Sequence, residues 1–371
     1  MKILYIISST QTGGAEKALY EVARAAQKKG NEVSVLCLKP LGEVAESLKQ
    51  SGIPVKSLTS SPRLPGKIIK EIQAEIASFK PDIVHAMLFR AIVYARIACA
   101  NTPVKLITTP HFDLSKQSLL HRLADRFLKE KDTLTIAESC TTARYLVQHQ
   151  HYRKEKVFLL PNGADEHKFY KDINARQAMR GKYGFHVKTV VFLSVARLVE
   201  DKNPLILLQA FRNLLRSGAD AKLVYVGDGT ERNKLENFIE QSHIGDHVVL
   251  AGEQKNVNDW LNMADVFVLP SSEESLPLSL LEALRVGLPC VVSTAGDMPL
   301  WVEHGRNGYV CPARDITLLS CFMKELLSYP NLREAMGQAS LQKAAHITNN
   351  AGQYCQIYRQ VMNNSFHVKT I

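Results

Sequence analysis

Short runs of apolar, β-branched residues alternate with segments of helical period along the whole chain, and this alternation constrains the fold more than any other feature of the sequence. Strands separated by helices return by crossover rather than by hairpin, so they lie parallel, with helices covering both faces of the sheet. In the first half the pattern predicts strands at 2–7, 33–38, 82–86, 104–109, 133–137 and 157–160, and in the second at 189–195, 222–226, 247–251, 265–269, 290–293 and 308–311. The expected fold class is α/β, in two doubly wound, Rossmann-like parallel-sheet units, because 371 residues are about twice the usual domain of ~100–200 residues. The boundary is expected near residue 170, in the polar stretch 165–188, where strand signals are absent and Gly181 and Gly184 interrupt any helix. In such sheets ligands sit beyond the carboxyl ends of the strands, so a cleft between two facing units is the expected site.

Other classes fall away quickly. With 46% hydrophobic and 22% charged residues the chain is neither disordered nor collagen-like. No apolar run approaches the ~18 residues of a membrane-spanning helix. The apolar run at 3–7 is too short for a signal peptide and reads as a strand. Seven cysteines, odd in number and scattered without a Cys-x-x-Cys or Cys/His cluster, suggest reduced thiols and a cytoplasmic setting, with no zinc site. The net charge of +10 is carried by the first half: residues 1–180 hold 28 Lys and Arg against 17 Asp and Glu. That half would attract a partner with spread negative charge, such as an anionic lipid surface, a phosphorylated glycan carrier or nucleic acid; a merely soluble basic surface is the plain alternative.

The strand-to-helix loops carry the candidate chemistry. Gly13-Gly14 with Glu16 follows the first strand and opens a helix, where backbone can come close to a ligand, but Lys17 stands where a dinucleotide fingerprint needs its third glycine. The turn at Gly227 and Gly229 lacks a third glycine too, and no phosphate-binding Gly-x-x-x-x-Gly-Lys-Ser/Thr exists. Arg197 and Lys202 flank the loop after the strand 189–195, and Asn203-Pro204 reads as an N-cap and first turn, so two cations stand beside a helix N-terminus. That combination suits a diphosphate.

The segment from Glu274 through Leu276, Pro277 and Leu278 to Glu282 is the most informative. Pro277 marks a helix start, leaving Glu274 in the preceding loop and Glu282 as the one charge among leucines; either a basic residue or the hydroxyls of a sugar must meet it. His85 and His111 are read as ending first-half strands on the cleft side, although a lone histidine is usually structural. No Asp-x-Asp pair is present to hold a divalent ion on a diphosphate, so fixed cations are expected in place of a metal.

Gly13-Gly14-Ala15-Glu16, Pro161-Asn162-Gly163-Ala164-Asp165, Ala196-Arg197-Leu198 through Lys202, Val226-Gly227-Asp228-Gly229, and Glu274 through Gly287-Leu288-Pro289 together resemble the retaining glycosyltransferases of family 4. The most specific part is Glu-x7-Glu running into Glu-Ala-Leu-x-x-Gly-x-Pro. The resemblance implies the two-unit GT-B fold: an acceptor-side domain, 1–170, rejoined by a C-terminal helix at 350–371, and a nucleotide-sugar domain, 171–349. It implies that Arg197 and Lys202 hold the donor diphosphate, Glu282 the ribose, and Glu274 the donor sugar, with His111 beside the reacting centre. Gly13 and Gly14 would approach donor phosphate and sugar. Backbone at 252–257, including Val257, would surround the base, with Gly227, Leu276, Pro277 and Leu278 also on the donor. His85 and Glu16 are weaker acceptor-side candidates.

The implied activity is metal-independent, retaining transfer of a sugar from a nucleotide-diphosphate-sugar, a substrate rather than a cofactor, to a glycan or lipid-linked acceptor. Cell-envelope polysaccharide or lipopolysaccharide assembly at the inner face of the cytoplasmic membrane is the expected setting. After Ala295-Gly296 the run Asp297-Met298-Pro299-Leu300 departs from the Gly-x-Pro-Glu common in the family. A nucleotide-sugar epimerase of the same architecture and a basic nucleic-acid-binding protein are the competing classes, the latter without any recognisable binding module. Finally, 115–131 places Leu119, Leu120, Leu123, Phe127 and Leu128 on one helical stripe ringed by Lys116, Arg122, Arg126, Lys129 and Lys131. This resembles a basic interfacial helix, the alternative being a stripe packed on its own domain.

Overall fold

The computed structural model describes residues 1–11, 13–58, 65–111, 118–216 and 218–365. The chain divides into two compact units, Met1–Asn162 with Asn350–Ile371, and Gly163–Asn349. Among the described residues the first holds seven strands: β1 (Lys2–Ile7), β2 (Glu32–Cys37), β3 (Val55–Ser57), β4 (Ile83–Met87), β5 (Lys105–Thr109), β6 (Leu134–Ala137) and β7 (Val157–Leu159). They are all parallel, in the order β3-β2-β1-β4-β5-β6-β7. The second holds β8 (Val190–Val195), β9 (Ala221–Val226), β10 (Val248–Leu250), β11 (Val266–Leu269), β12 (Cys290–Ser293) and β13 (Gly308–Cys311), parallel in the order β10-β9-β8-β11-β12-β13.

The strands read as continuous apolar runs because both sheet faces are covered. In β1, Ile3, Tyr5 and Ile7 pack on the helices Gly14–Lys28 and Ala351–Met362, while Leu4 and Ile6 pack on Pro65–Phe79 and Phe89–Ala98. In β8, Val191, Leu193 and Val195 meet Leu280 and Leu284 of the helix Leu278–Val286, and Phe192 meets Leu207 and Phe211 of Pro204–Leu215. Each such side chain contributes ~1.5–3 kcal/mol by leaving water. In each sheet the winding reverses at one place, between β1 and β4 and between β8 and β11. Ligand loops belong there, at the carboxyl ends of those strands.

Three readings need correction. β3 gives no apolar run, since Val-Lys-Ser is a short and largely exposed edge strand. The stretch 165–188 is no linker: the helix Ile173–Lys182 runs through Gly181, started by Asp172, whose carboxylate accepts from the backbone N–H of Asn174 and Ala175. Arg176 and Arg180 of that helix pair with Asp265 at 2.5 and 3.1 Å, and Phe169, Met179, Tyr183 and Phe185 join the second unit's core. The division therefore falls earlier, between Asn162 and Gly163.

Candidate active site

In the second unit the loops after β8 and β11 meet at the place where the winding reverses. Arg197 is exposed just past β8, and Lys202 closes a short 3-10 turn, Glu200–Lys202, ahead of the helix Pro204–Leu215. Contrary to the expectation from sequence, Asn203 does not cap that helix with its side chain. Its backbone is left-handed (φ 50°, ψ 44°), and its Nδ2 instead donates to the Pro270 carbonyl at 2.8 Å, tying the two loops together. Ser272 N–H donates to the Asp201 carbonyl at 2.8 Å and adds a second tie.

The third tie is ionic. Lys202 Nζ lies 2.9 Å from Glu274 Oε1 and 3.2 Å from Asp201 Oδ2, and donates to the Glu273 carbonyl at 3.1 Å. Burial pulls the Lys202 pKa down, but the carboxylates of Glu274 and Asp201 outweigh it and hold the ammonium above its ordinary value. Glu274 is oriented in turn by Ser271, whose Oγ donates to Oε1 at 2.9 Å, and the Ser271 carbonyl accepts from Ser293 Oγ. Sequence reasoning passed over both serines; a seryl residue three positions before a candidate acid was the available signal.

Glycines let the neighbouring loops close on this point. A Cβ on Gly227 (φ +135°) would lie 2.0 Å from the Ala196 carbonyl oxygen, and one on Gly229 would lie 2.4 Å from that of Leu198. Only glycine lets the loop after β9 press against the backbone that carries Arg197. Gly296 (φ +55°) likewise packs on the carbonyls of Glu274 and Ser275, and Asp297 N–H donates to the Ser275 carbonyl at 2.8 Å. The loop after β12, where the sequence departs from the common family pattern, is thus built against the candidate sugar-binding acid.

Pro277 precedes the helix Leu278–Val286 in extended backbone, and Gly287 ends it in the left-handed region (φ 83°). Leu276 and Glu282 are buried, the carboxylate inside that helix. Val257 opens the helix Val257–Met263 and shares one core with Leu276 and Leu280, and Gly227 N–H reaches the Gly252 carbonyl at 2.8 Å, so the 252–257 segment borders the same loops.

In the first unit, Gly13 is the extended N-cap of the helix Gly14–Lys28. Its missing side chain makes room for Glu16, whose Oε2 lies 2.3 Å from where a Cβ would be, while nothing lies within 4 Å of a Cβ on Gly14. A carboxylate in the first turn also suits the helix dipole. His111 lies two residues past β5 with φ 54°; burial pushes its pKa down to about 4, and its Nε2 is buried with no hydrogen-bond partner among the described residues. Leu88, just past the adjacent β4, also has positive φ, 70°. Two neighbouring strand ends thus carry backbone that residues other than glycine rarely adopt.

His85 is not part of this edge. It lies in the middle of β4, fully buried, with Nδ1 2.7 Å from the Tyr358 hydroxyl, Nε2 2.8 Å from Thr109 Oγ1, and Tyr354 stacked on its ring. Nδ1 serves the seam between the sheet and the C-terminal helix and Nε2 ties β4 to β5, which corrects its reading as a strand-end site residue.

Residues 12–168 match the family described as Glycosyltransferase Family 4, and residues 175–343 match the one described as Glycosyl transferases group 1. The chain is 27% identical over 269 residues to the N-acetyl-alpha-D-glucosaminyl L-malate synthase of Bacillus anthracis, covering 70% of this chain and 69% of that protein. It is 28% identical over 265 residues to the UDP-Gal:alpha-D-GlcNAc-diphosphoundecaprenol alpha-1,3-galactosyltransferase of Escherichia coli, covering 67% and 68%. In fold it is similar to Anabaena HepE in complex with UDP and glucose, with a TM-score of 0.85 at 21% identity over 97% of this chain and 99% of that one. The parallel sheet orders, the loops gathered where each sheet reverses and both family matches agree: the chain has the GT-B fold and belongs to glycosyltransferase family 4.

Proposed function

We propose that this glycosyltransferase moves a sugar from a nucleoside-diphosphate-sugar to a glycan or lipid-linked acceptor, with retention of anomeric configuration and without a metal ion, in cell-envelope polysaccharide or lipopolysaccharide assembly at the cytoplasmic face of the membrane. The observation that carries the reading is the Lys202–Glu274 pair across the reversal point of the second sheet, with exposed Arg197 alongside. Arg197 and Lys202 are the charges that neutralise the diphosphate as it leaves. At ~4 Å and an effective dielectric of ~20 one such contact is worth ~4 kcal/mol, enough for nearly a thousandfold in rate. Glu274 is freed from Lys202 to take sugar hydroxyls, and Glu282 takes the ribose.

The departing diphosphate leaves on the face by which the acceptor hydroxyl enters, and one of its oxygens accepts the hydroxyl proton. On the family resemblance we assign neutral His111 to the reacting centre. The names of the relatives, one of them acting from a UDP-sugar onto a diphosphoundecaprenol-linked acceptor, support a nucleotide donor and make UDP-sugars the first to try. A thermal-shift panel of UDP-, GDP- and ADP-sugars tests the reading: a ligand at ~100 times its dissociation constant adds ~2.7 kcal/mol of stability. Stabilisation by one nucleotide series, lost in Lys202→Ala, is expected; no stabilisation by any of them overturns it.

A further inference from the structure

We infer that Tyr358, His85 and Thr109 form a positioning relay through which the C-terminal helix fixes the aim of the His111 imidazole. The use of that aim rests on the reading of His111 as a group of the reacting centre, but the relay itself can be tested without it. It starts on the helix Ala351–Met362, with which the chain rejoins the first unit after leaving the second. The Tyr358 hydroxyl is paired with that of Tyr5 at 3.2 Å and meets His85 Nδ1 at 2.7 Å; His85 Nε2 in turn meets Thr109 Oγ1 at 2.8 Å. A neutral imidazole donates at one nitrogen and accepts at the other, and both are used. Tyr354 completes the set, stacked on the His85 ring with centroids 5.8 Å apart and hydrogen-bonded to Thr109. All of these side chains are buried, where a lost partner is costly.

Thr109 is the last residue of β5, in register with Met87 on the face that the C-terminal helix covers. Its neighbour Thr108 turns to the other face, where its hydroxyl donates to Asp132 Oδ2 at 2.9 Å, and Arg96 forks onto the same carboxylate at 2.8 and 2.6 Å. The end of β5 is thus pinned on both faces. The Thr109 carbonyl also accepts from the Leu88 N–H, just past β4, at 3.3 Å.

Only Pro110 separates this pinned residue from His111. Its ring locks its own φ, and the residue before a proline is confined to extended backbone, so few soft torsions lie between the Thr109 hydroxyl and the imidazole. His111 Nε2 has no hydrogen-bond partner among the described residues, so the ring takes its direction through the backbone rather than from a bond at that atom. Residues 112–117, among them Lys116 of the stripe expected from sequence, lie outside the described residues; the described support reaches His111 from the strand side. Burial, and in smaller part His111, holds the His85 pKa down to about 3, so the two rings are close enough to feel each other.

The test is ring-nitrogen NMR of the full chain labelled in histidine, with His111 and His85 assigned through His111→Asn and His85→Gln. Thr109→Val and Tyr358→Phe each remove one hydroxyl and keep the packing shape, and both should shift the His111 ring signals. Thr109→Ser keeps the hydroxyl and should leave them at the parent position. With UDP-glucose or UDP-galactose, whichever stabilises the parent, nucleotide release by Thr109→Val should fall ~10–100-fold in kcat with KM little changed, the cost of a slightly misplaced group, and recover in Thr109→Ser. In the His111→Asn background Thr109→Val should cost no further turnover, since the relay acts only through the ring. A merely structural hydroxyl would lower the melting temperature and leave these readouts alone. His111 signals unmoved by both hydroxyl deletions, or a kcat loss that persists undiminished in the His111→Asn background, would overturn the relay. Moved signals with parent-level turnover in His111→Asn would keep the relay and fail the reading of His111 instead; if neither UDP-sugar stabilises the parent, the donor reading fails and the ring signals still decide.

Discussion

Lys202 Nζ and Glu274 Oε1 are 2.9 Å apart, and they come from loops on opposite sides of the point where the second sheet reverses its winding. Each satisfies the other's charge in a largely buried position, and Ser271 and Asp201 fix the geometry from behind. The pair therefore holds an ammonium and a carboxylate ready at one place, and a donor must enter between them or share them. A site that is preorganised in this way avoids much of the ordering cost of binding.

Breaking this pair from both sides should cost less than the two single breaks added together. Lys202→Ala leaves a buried carboxylate without its cation, and Glu274→Gln leaves the cation with Asp201 alone. Each single substitution should cost about 1–3 kcal/mol of stability, and the double substitution less than their sum, with a coupling of about 0.5–3 kcal/mol measurable by denaturant melts. Turnover should collapse in Lys202→Ala and Arg197→Ala but survive EDTA in the parent. Additive stabilities, or loss of turnover in EDTA, would count against fixed cations as the diphosphate partners.

The glycines give a contrast that needs no ligand. Gly227→Ala puts a methyl group 2.0 Å from the Ala196 carbonyl oxygen in a backbone conformation that alanine rarely adopts, so the loop bearing Arg197 must shift. Gly14→Ala meets nothing within 4 Å and replaces glycine in a helix, where alanine is favoured by ~1 kcal/mol. Melts should therefore show Gly227→Ala destabilised and Gly14→Ala unchanged or slightly raised. Lost activity in a stable Gly14→Ala would then report a substrate that comes close to that backbone.

How much of this was legible depends on the range of the signal. Strand identity is local, and 12 of the 13 strands among the described residues follow from apolar runs that two covered faces impose; Val55–Ser57 escaped because an exposed edge needs none. The loop residues were legible by type, since cations near a helix start and an acid before Pro277 suggest diphosphate and sugar chemistry whatever their distance in space. What was not legible was direction. Nothing near His85 in sequence reveals Tyr358, 273 positions away, as the partner that makes it structural. Nor does the pattern of the helix Leu119–Leu128 reveal that its inward side chain is Asp125, bonded by Arg96 at 2.7 Å and by the Tyr152 hydroxyl at 2.8 Å, with Leu120 and Phe127 left exposed. The Asn203 side chain is drawn to Pro270 by a tertiary contact that outcompetes the local cap.

Stability should fall with acid in a window set chiefly by His85, the more strongly shifted of two buried histidines in the first unit. Burial holds His85 down to about 3, with His111 adding a smaller effect in the same direction, against about 6.5 in the unfolded chain. The folded form is thus the one that binds fewer protons between those values. Its stabilisation is complete above about pH 6.5, declines as the pH falls toward 3, and is absent below both values. For His85 alone it is on the order of 4 kcal/mol at neutral pH. Melting temperature should drop between pH 6.5 and 4, and His85→Gln should flatten that slope while lowering the melting temperature at pH 7. An equal slope in the variant would place the acid sensitivity elsewhere.

His111 separates function from stability most cleanly. Its left-handed backbone costs a non-glycine residue ~1 kcal/mol or more, and its ring, neutral at pH 7, leaves Nε2 without a hydrogen-bond partner among the described residues. His111→Gly relieves the backbone strain but empties the place of the ring and frees the unfolded chain, so its melting temperature should stay close to or somewhat below the parent's while the fold is kept. If the imidazole assists proton transfer or hydrogen-bonds the reacting sugar, turnover should fall by ~100-fold or more with donor affinity little changed. His111→Asn, which tolerates the same backbone but lacks the ring, should share the kinetic defect. Parent-level turnover in the glycine variant would assign the strain to the loop alone and remove His111 from the site.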